Sequence, residues 1–577
     1  MTVVRDEVSP RAPTEAPRRG ASTQARSGAA AAQLGLAALT GLIAYLVVAP
    51  LVSLQAAAFD DRAEGYRQGF SVRGIDQIIV NTIGLAVGSV VISLVLGTLL
   101  AWAASRLPRG LQFLKIFPML PLILPAVAGV VGWALLASPR PGYLNGLLRN
   151  LPFWSHLVEG PFDVYSIRWI VFITGLSLSA FVYVFVSSGL ANIGEDLHEA
   201  ARVGGSGASR VFFTVTLPLL RPSLIYATGV VLLLSLGQFT APLLLGANGG
   251  VKVLTTQMYM QVAQTPVQYG AAAALGSPLL IAGVLVVLTQ KRLLGGESRF
   301  ITHTGKGFRS ESRPSVLAVL VILGYALVSS ILPILALAYV SLSPYWTGKL
   351  SFEHLSTANF EMLFSRPEAT DAIVNSVTYS LAAMAITLPL GFVLACVLVR
   401  GERHRVIRVV LDFLVSMPLG IPAVIFGAGF LITYTSGPLV LYGTPWVVVI
   451  AYVTLMIPFA TRMQLSTLLA LGRTYIEASR VSGAGVIRTY GTIVLPLMRS
   501  SLAGSAALLF VLLTHEFTAS LLVRSPTTRV MGTLLFDYWH NGSYPMVASV
   551  ALVMTAVTAC GVGIAVLLGG SESLSKM

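Results

Sequence analysis

The sequence predicts an all-α integral membrane protein in which twelve transmembrane helices form two parallel six-helix repeats. Its composition is the first indication: 55% of the 577 residues are apolar and 11% are charged. A soluble domain carries roughly 25% charged residues, and the mean hydropathy here is +0.79. Twelve apolar stretches and an internal repeat are the second and third indications. Most of the chain is therefore expected to face lipid or other helices.

The twelve apolar stretches are each long enough to span a bilayer. A hydrocarbon layer about 30 Å thick needs about 20 apolar residues in a helix that rises about 1.5 Å per residue. Several stretches contain Pro, which bilayer helices tolerate where neighbours satisfy the freed backbone groups. The predicted spans are 33–56, 77–104, 111–137, 168–190, 222–246 and 271–290 in the first half, then 316–342, 374–399, 407–434, 445–468, 501–523 and 546–569 in the second.

The net charge of +14 is typical of a nucleic-acid-binding protein, but the positions of the charges favour another explanation. If the N-terminus lies inside, most of the 38 Lys and Arg residues fall in segments on the inner side, as the positive-inside rule requires. We therefore expect no nucleic acid partner. The prediction is a multi-pass protein of the cell membrane (inner or plasma), with the lipid bilayer around it and both termini in the cytoplasm.

An internal repeat divides the chain into two halves. Three pairs of segments match: Asn81-Thr82 with Asn375-Ser376, PLILPAV (121–127) with PLGIPAV (418–424), and QFTAPLL (238–244) with EFTASLL (516–522). Because each half holds an even number of spans, both enter the membrane from the same side, as parallel repeats do. The predicted domains are a disordered basic N-terminus (1–32), a first domain of six spans (33–290), a cytoplasmic linker (291–315) and a second domain of six spans (316–570).

A polar loop between the fourth and fifth spans occurs once in each half. The first repeated loop runs from Glu199 to Leu224 and the second from Glu477 to Leu502. In both, a Gly lies six residues after the Glu, and Leu-Pro follows further on. The residues after the Glu favour a helix, and the Gly permits a tight turn out of it. Each loop is thus expected to form a short helix, a turn and a second short element on the inner face.

These loops resemble the EAA loops of type I ABC import permeases, in which EAA is followed by three residues, Gly and then eleven residues to LP. The resemblance covers nearly the whole chain from about 33 to 570 and implies the type I permease fold. It also implies that each loop forms a coupling helix that docks on one ATPase subunit. Ser479 replaces the second Ala of the motif. The implied coupling residues are Glu199, Ala200, Ala201, Gly205, Pro218, Glu477, Ala478, Ser479, Gly483 and Pro496.

The chemistry of ATP hydrolysis is expected to lie in other polypeptides. The sequence has no G-x-x-x-x-G-K-[ST] loop to hold phosphates and magnesium, so we predict a transport component and not an enzyme, with no catalytic residue and no cofactor in this chain. ATP and Mg would be bound by cytoplasmic ABC ATPase subunits, two of them to match the two loops. The resemblance also implies an extracytoplasmic substrate-binding protein. No dense cluster of metal-ligand residues appears, so no metal site is predicted.

A few polar and aromatic residues inside the predicted spans are candidate pathway residues. Glu516 and His515 fall in the eleventh span, where a carboxylate should face the bundle interior or a wet cavity. Gln238 occupies the position aligned with Glu516, and Phe239 aligns with Phe517. A role in the pathway or gate and a role in helix packing both remain open for these five residues.

The substrate follows only from the resemblance. A permease with both halves in one polypeptide resembles those of ferric iron importers, so ferric iron is the predicted substrate; thiamine, a phosphonate or a polyamine are the alternatives within the same machinery. A twelve-helix secondary transporter is the rival of another class, but the sequence has few of the midplane ionisable groups that such a transporter needs. A receptor or structural protein would leave the repeat and the loops unexplained.

Overall fold

A computed structural model describes residues 21–191, 193, 201, 203–294, 315–400, 405–436, 439–472 and 474–569, and every regular element in that part of the chain is a helix. The first half contains α1 Ala21–Phe70, α2 Ile75–Ser105, α3 Arg109–Ile123, α4 Ala126–Ala137, α5 Tyr143–Arg149, α6 Ile167–Ala191, α7 Ala208–Val211, α8 Phe212–Leu219, α9 Arg221–Leu236, α10 Thr240–Gly249, α11 Leu254–Ala263 and α12 Tyr269–Leu294. The second half contains α13 Val316–Leu342, α14 Ala358–Ser365, α15 Pro367–Arg400, α16 Arg405–Gly420, α17 Ala423–Ser436, α18 Pro445–Leu471, α19 Thr474–Val481, α20 Val486–Leu497, α21 Arg499–Thr514, α22 Thr518–Val523, α23 Met531–His540 and α24 Tyr544–Gly569.

The helices that suit a membrane agree with the predicted all-α fold. Among the described residues, 8 helices are long and apolar enough to cross a bilayer alone, and counting each of 4 bent pairs as one span gives up to 12. The bent pairs are α3 with α4 at 91°, α8 with α9 at 62°, α16 with α17 at 109° and α20 with α21 at 71°. The same two positions in each half are bent, so the structure repeats as the sequence does.

The third span of each half is not the single helix that was predicted for 111–137 and 407–434. The chain turns sharply before α4 and before α17, each time at a Pro that directly precedes the second helix. Leu124 has extended backbone with ψ of 126°, because the ring of Pro125 disfavours helical geometry in the residue before it. Tolerance of Pro in bilayer helices was thus the wrong expectation at these two places.

The first helix begins earlier than the sequence suggested. α1 starts at Ala21, inside the segment predicted to be disordered, because the run of alanines before Gln33 has the highest helix propensity of any residue type. Its backbone leaves helical geometry from Asp60 to Ala63, beyond the predicted span. Residues 1–20 and most of the predicted linker (295–314) lie outside the described residues.

The first span of each half crosses over to pack on the other half. α1 lies against α17, and α13 lies against α4. A Cβ added at Gly132 in α4 would lie 2.7 Å from both Cβ and the carbonyl oxygen of Pro333, and one added at Gly429 in α17 would lie 2.5 Å from the carbonyl oxygen of Pro50. Only glycine permits so close an approach of two backbones. The halves are therefore interlocked at two aligned contacts.

The long segment between the third and fourth spans has an ordered base. Asn145 is fully buried, and its amide donates to the carbonyl oxygens of Ser138 (2.9 Å) and Phe162 (2.7 Å). The Phe162 N–H donates back to Asn145 Oδ1 at 3.1 Å. The charged residues of the segment remain at the surface, where Arg140 pairs with Glu159 at 3.0 Å.

Candidate functional site: coupling loops, central breaks and outer cavity

The second repeated loop folds as a short helix closed by a left-handed glycine. α19 ends at Val481, and Gly483 has φ of +82°. The Gly483 N–H donates to the Arg480 carbonyl (3.0 Å), and the Ala484 N–H donates to the Ser479 carbonyl (3.1 Å). This pair of bonds is the Schellman helix stop. Nothing lies within 4 Å of a Cβ built at Gly483, so the backbone angle and not a lack of space calls for glycine.

The first repeated loop shows the same stop where it is described. Gly205 has φ of +77°, and the Ser206 N–H donates to the Ala201 carbonyl at 3.1 Å. These atoms align with those of Gly483, Ala484 and Ser479. Glu199 and Ala200, two of the predicted coupling residues, lie outside the described residues.

Ser479, which departs from the EAA pattern, has a hydrogen-bond partner within the second loop. Ser479 is buried, and its hydroxyl lies 2.9 Å from that of Thr489 in α20. In the first loop the aligned residues are Ala201 and Val211, which have no hydroxyl to pair. The second loop thus replaces an apolar pair by a hydrogen-bonded one, and the two substitutions satisfy each other.

Each repeated loop has apolar side chains on its exposed surface. Val203 and Val481 hold aligned positions and are each 90% exposed, as is Ile487. Glu477 and Ala478 are also exposed. Pro218 and Pro496 lie in the short helices α8 and α20, directly before the bends that lead into the fifth span of each half. Each loop therefore presents a bent, partly apolar knob at the end of a span.

The candidate pathway residues lie at breaks in the chain and not within continuous spans. The predicted spans 222–246 and 501–523 end at Leu236 and Thr514, and new helices begin at Thr240 and Thr518. Gln238 and Phe239 occupy the first break, and His515, Glu516 and Phe517 occupy the second. The long apolar stretches on both sides of these few polar residues hid both breaks from the span prediction.

Glu516 stabilises the break that contains it. Its carboxyl oxygens accept hydrogen bonds from the Ala519 N–H (2.7 Å), the Ser520 N–H (2.9 Å) and the Ser520 hydroxyl (2.6 Å). The two N–H groups belong to the first turn of α22, where backbone donors have no partner inside the helix. Gln238 stabilises its break with fewer hydrogen bonds than Glu516, since its Oε1 accepts one, from the Phe239 N–H at 3.0 Å. His515 Nε2 lies 3.0 Å from the Thr558 hydroxyl.

Four aromatic rings meet between the halves at the level of the breaks. Phe239 and Phe517, which are 1% and 2% exposed, have ring centroids 5.9 Å apart. Tyr259 of α11 packs on Phe239 at 5.7 Å, and Phe536 of α23 packs on Phe517 at 6.0 Å. Tyr259 and Phe536 are themselves 6.2 Å apart. This aromatic cluster (Phe239, Tyr259, Phe517 and Phe536) is built of two aligned pairs and fills the space between the halves.

The aligned segments Asn81-Thr82 and Asn375-Ser376 hold α11 and α23 in place. These two helices carry the Tyr259 and Phe536 rings of the cluster. Asn81 donates to the Lys252 carbonyl (3.1 Å), and the Leu254 N–H donates to Thr82 Oγ1 (2.9 Å). Asn375 likewise donates to the Arg529 carbonyl at 3.0 Å, and Ser376 Oγ accepts from the Met531 N–H at 2.7 Å. The repeat therefore fixes α11 and α23 against the second span of each half.

A cavity of about 1090 Å³ opens beside the aromatic cluster. Its walls are formed by α10 and α11 of the first half and by the segment from Arg524 to Tyr544 of the second, with Arg366 and Glu368 at one edge. Successive spans run in opposite directions, so this connection between the fifth and sixth spans lies on the membrane side opposite to the repeated loops. Sequence reasoning missed the cavity and its residues; the aligned Thr256 and Thr533, which cap α11 and α23, were the available signal.

Charged groups line one wall of this outer cavity. Arg524 Nη1 donates to Asp537 Oδ1 at 2.8 Å, and Arg529 Nε lies 4.0 Å from Asp537 Oδ2. Burial raises the pKa of the Tyr259 phenol above its usual value, so this side chain is neutral near pH 7. Among the residues that the structure describes, no three His, Cys, Asp or Glu side chains are grouped to hold a metal ion.

Two interlocked helical halves, with repeated knobs at one membrane face and a cavity closed by a shared aromatic cluster, define a membrane permease made of two fused domains. Comparison with known families agrees. The chain belongs to the family of binding-protein-dependent transport system inner membrane components, whose model matches residues 67–295 and 387–570. It is therefore a multi-pass permease of the ABC importer class.

Some known relatives match most of the chain and others match about a third of it. The ferric transport system permease protein FbpB of Actinobacillus pleuropneumoniae is 26% identical over 89% of this chain and 75% of its own length. The putative ferric transport system permease protein FbpB 1 of Haemophilus influenzae is 27% identical over 79% of this chain and 71% of its own. The molybdenum transport system permease protein ModB of Escherichia coli K12 is 33% identical over 32% of this chain and 79% of its own length.

Proposed function

We propose that this permease imports ferric iron, driven by two separate ATPase subunits that grip the two repeated loops. ATP and Mg would be bound by those subunits, and an extracytoplasmic binding protein would deliver the substrate at the outer cavity. Both termini of the chain would then lie in the cytoplasm, on the side of the loops. We also propose that the two permease domains extend over residues 33–290 and 316–570.

The shape and exposure of the loops support the coupling role. Val203 and Val481 are each 90% exposed at the ends of spans, where side chains of a lone soluble loop would be polar. Apolar side chains at a rigid turn are what a partner protein can bury. Two equivalent knobs suit two copies of one partner. Glu199, Ala200, Ala201, Gly205 and Pro218, with Glu477, Ala478, Ser479, Gly483 and Pro496, are the proposed coupling residues.

The substrate proposal rests on the ferric transport permeases that match most of this chain with both halves fused. Thiamine, a phosphonate or a polyamine remain the alternatives, because in such importers the delivering protein selects the ligand. Membership of the permease family disfavours the secondary transporter.

The aromatic cluster supports an alternating path. Its rings are packed between the halves, so in the described part of the chain they lie between the outer cavity and the side of the loops. Movement of the loops by ATPase subunits would have to separate Phe239 from Phe517, since these two aligned rings come from different halves. Gln238, His515 and Glu516 lie at the same breaks and would move with them.

The test is uptake of radiolabelled ferric iron at limiting concentration in cells with and without the protein. A variant with Glu199→Ala and Glu477→Ala, inserted in the membrane at wild-type level, should lose most of its uptake, because both knobs lose their acidic group. Glu353→Ala, a matched removal of an exposed Glu outside the loops, should leave uptake unchanged.

Two results would separate the parts of the proposal. Iron uptake that persists without the protein rejects iron, and the same cells are then tested with thiamine, phosphonates and polyamines. Full uptake by the double variant rejects the coupling role of the two Glu residues.

A further inference from the structure

The outer cavity has one charged wall and one uncharged wall. The first half contributes uncharged residues such as Asn248, Tyr259 and Met260. Among the described lining residues, the second half contributes Arg366, Arg524 and Arg529, together with His540, against Glu368 and Asp537, which leaves at least one positive charge in excess. Since the halves otherwise align closely, we attribute the difference in charge between the two walls to the ligand of the cavity and not to the shared fold.

Two of the three arginines flank a single carboxylate, that of Asp537. Asp537 faces Arg524 at 2.8 Å through one oxygen and Arg529 at 4.0 Å through the other. Arg524 also donates to the Thr533 carbonyl at 3.3 Å, so its guanidinium is held in place. Arg366 lies over the Tyr538 ring, 5.9 Å from its centroid. Guanidinium groups fixed in this way are suited to bind oxygen-rich anions, because their planar donors match pairs of oxygen atoms.

A bare ferric ion has no site of its own in the described part of the cavity. A small, highly charged cation needs several oxygen or nitrogen ligands around it. No group of three or more His, Cys, Asp or Glu side chains is found among the described residues. The one carboxylate between two arginines is already neutralised by them.

We propose that the outer cavity binds an oxygen-rich anion, with Arg529 and Arg366 as the side chains that recognise it. The anion would be either a free oxyanion or the anionic shell of a ferric complex, so that iron would enter as part of a negatively charged species. This inference rests on the proposed function in taking the cavity as the place where substrate arrives.

The test is binding to the purified full-length permease in lipid nanodiscs, measured by equilibrium dialysis. The probes are orthophosphate and citrate as free anions, ferric citrate as an anionic iron complex, and hexaamminecobalt(III) as a trivalent cation without an anionic shell. Arg529→Gln and Arg366→Gln should each weaken anion binding about tenfold, roughly the effect of one screened charge at close range. Lys252→Gln removes the aligned charge of the first half, which lies outside the cavity lining, and should leave binding unchanged.

The Asp537→Asn variant tests whether the site binds anions or cations. It keeps the shape of the side chain and removes the negative charge, so anion binding should tighten about tenfold. If the site binds cations instead, hexaamminecobalt(III) binds and Asp537→Asn weakens it, which overturns the inference. Anion binding that is unaffected by Arg529→Gln and Arg366→Gln overturns it as well.

The probes also separate the two sources of the anion. Tighter binding of ferric citrate than of citrate identifies an iron complex, whereas equal binding identifies the free anion; both agree with the inference. Because the measurement needs no ATPase or binding protein, it stays distinct from the uptake test. Anion binding that depends on Arg529 in a protein without iron uptake would retain this site and reject iron.

Discussion

Replacement of Glu516 decides whether its carboxyl serves transport or holds the break in the eleventh span together. In Glu516→Ala, the Ala519 and Ser520 N–H groups lose their acceptor, whereas the Ser520 hydroxyl keeps the Glu516 carbonyl at 3.3 Å and the Tyr452 hydroxyl at 2.9 Å. An unsatisfied buried donor costs about 1–3 kcal/mol, so we expect the free energy of unfolding to fall by about 3 kcal/mol or more. Glu516→Gln keeps one acceptor oxygen, and we expect a loss of about 1–2 kcal/mol.

The first half supplies the matched control. Gln238 accepts one hydrogen bond through its side chain, from the Phe239 N–H, so Gln238→Ala should cost only about 1 kcal/mol. Stability is measured as the unfolding midpoint in detergent followed by tryptophan fluorescence, and iron uptake is measured in parallel. If the capping role holds, uptake by the variants follows their folded amount in the membrane. Glu516→Gln protein that is as stable as the wild type and yet inactive in uptake would refute the reasoning and assign the carboxyl to the transport path.

Two further predictions concern the aromatic cluster and the second loop. Phe239→Ala with Phe517→Ala removes the two central rings and should let reconstituted vesicles leak small ions without ATPase subunits, whereas Phe430→Ala, buried outside the cluster, should not; tight double-variant vesicles would show that the rings do not close the path. Thr489→Val alone should lower the free energy of unfolding by about 1–2 kcal/mol because the buried Ser479 hydroxyl loses its partner. Ser479→Ala should cost less, since the Thr489 hydroxyl still donates to the Gly485 carbonyl at 3.0 Å, and the double variant should be more stable than Thr489→Val alone. Additive losses in that cycle would contradict the matched replacement.

Much of the fold followed from the sequence, because apolar length and internal similarity are properties of the chain itself. The glycine turns at Gly205 and Gly483 also followed, since a left-handed residue after a helix is a local requirement. The breaks at Pro125 and Glu516 did not follow. Whether a Pro or a carboxyl bends a span depends on which neighbours can accept or donate the freed hydrogen bonds, and those neighbours are distant in sequence.

The outer cavity was beyond prediction for a related reason. Arg524, Arg529 and Asp537 lie in a segment between spans, where charged residues usually face water. These residues line the cavity only because α11 and α23 are brought together between the halves. The residues that the sequence did single out there, Phe239 and Phe517, were correctly aligned with each other but were placed in helices that the structure interrupts.

The interlocking of the first spans sets an order in which the protein can be completed during synthesis. When α13 leaves the ribosome, its partner α4 has already been made, so the contact of Pro333 with Gly132 can form at once. α1 must wait for α17, which follows more than half the chain later and, at about 5–20 residues per second, arrives after tens of seconds. Until then the face of α1 around Pro50 has only lipid or an insertion factor to cover it. The contact of α1 with the other half is thus among the last to form, although α12 of its own half can pack on it earlier, and any product that stops before Gly429 leaves this face of α1 without its partner.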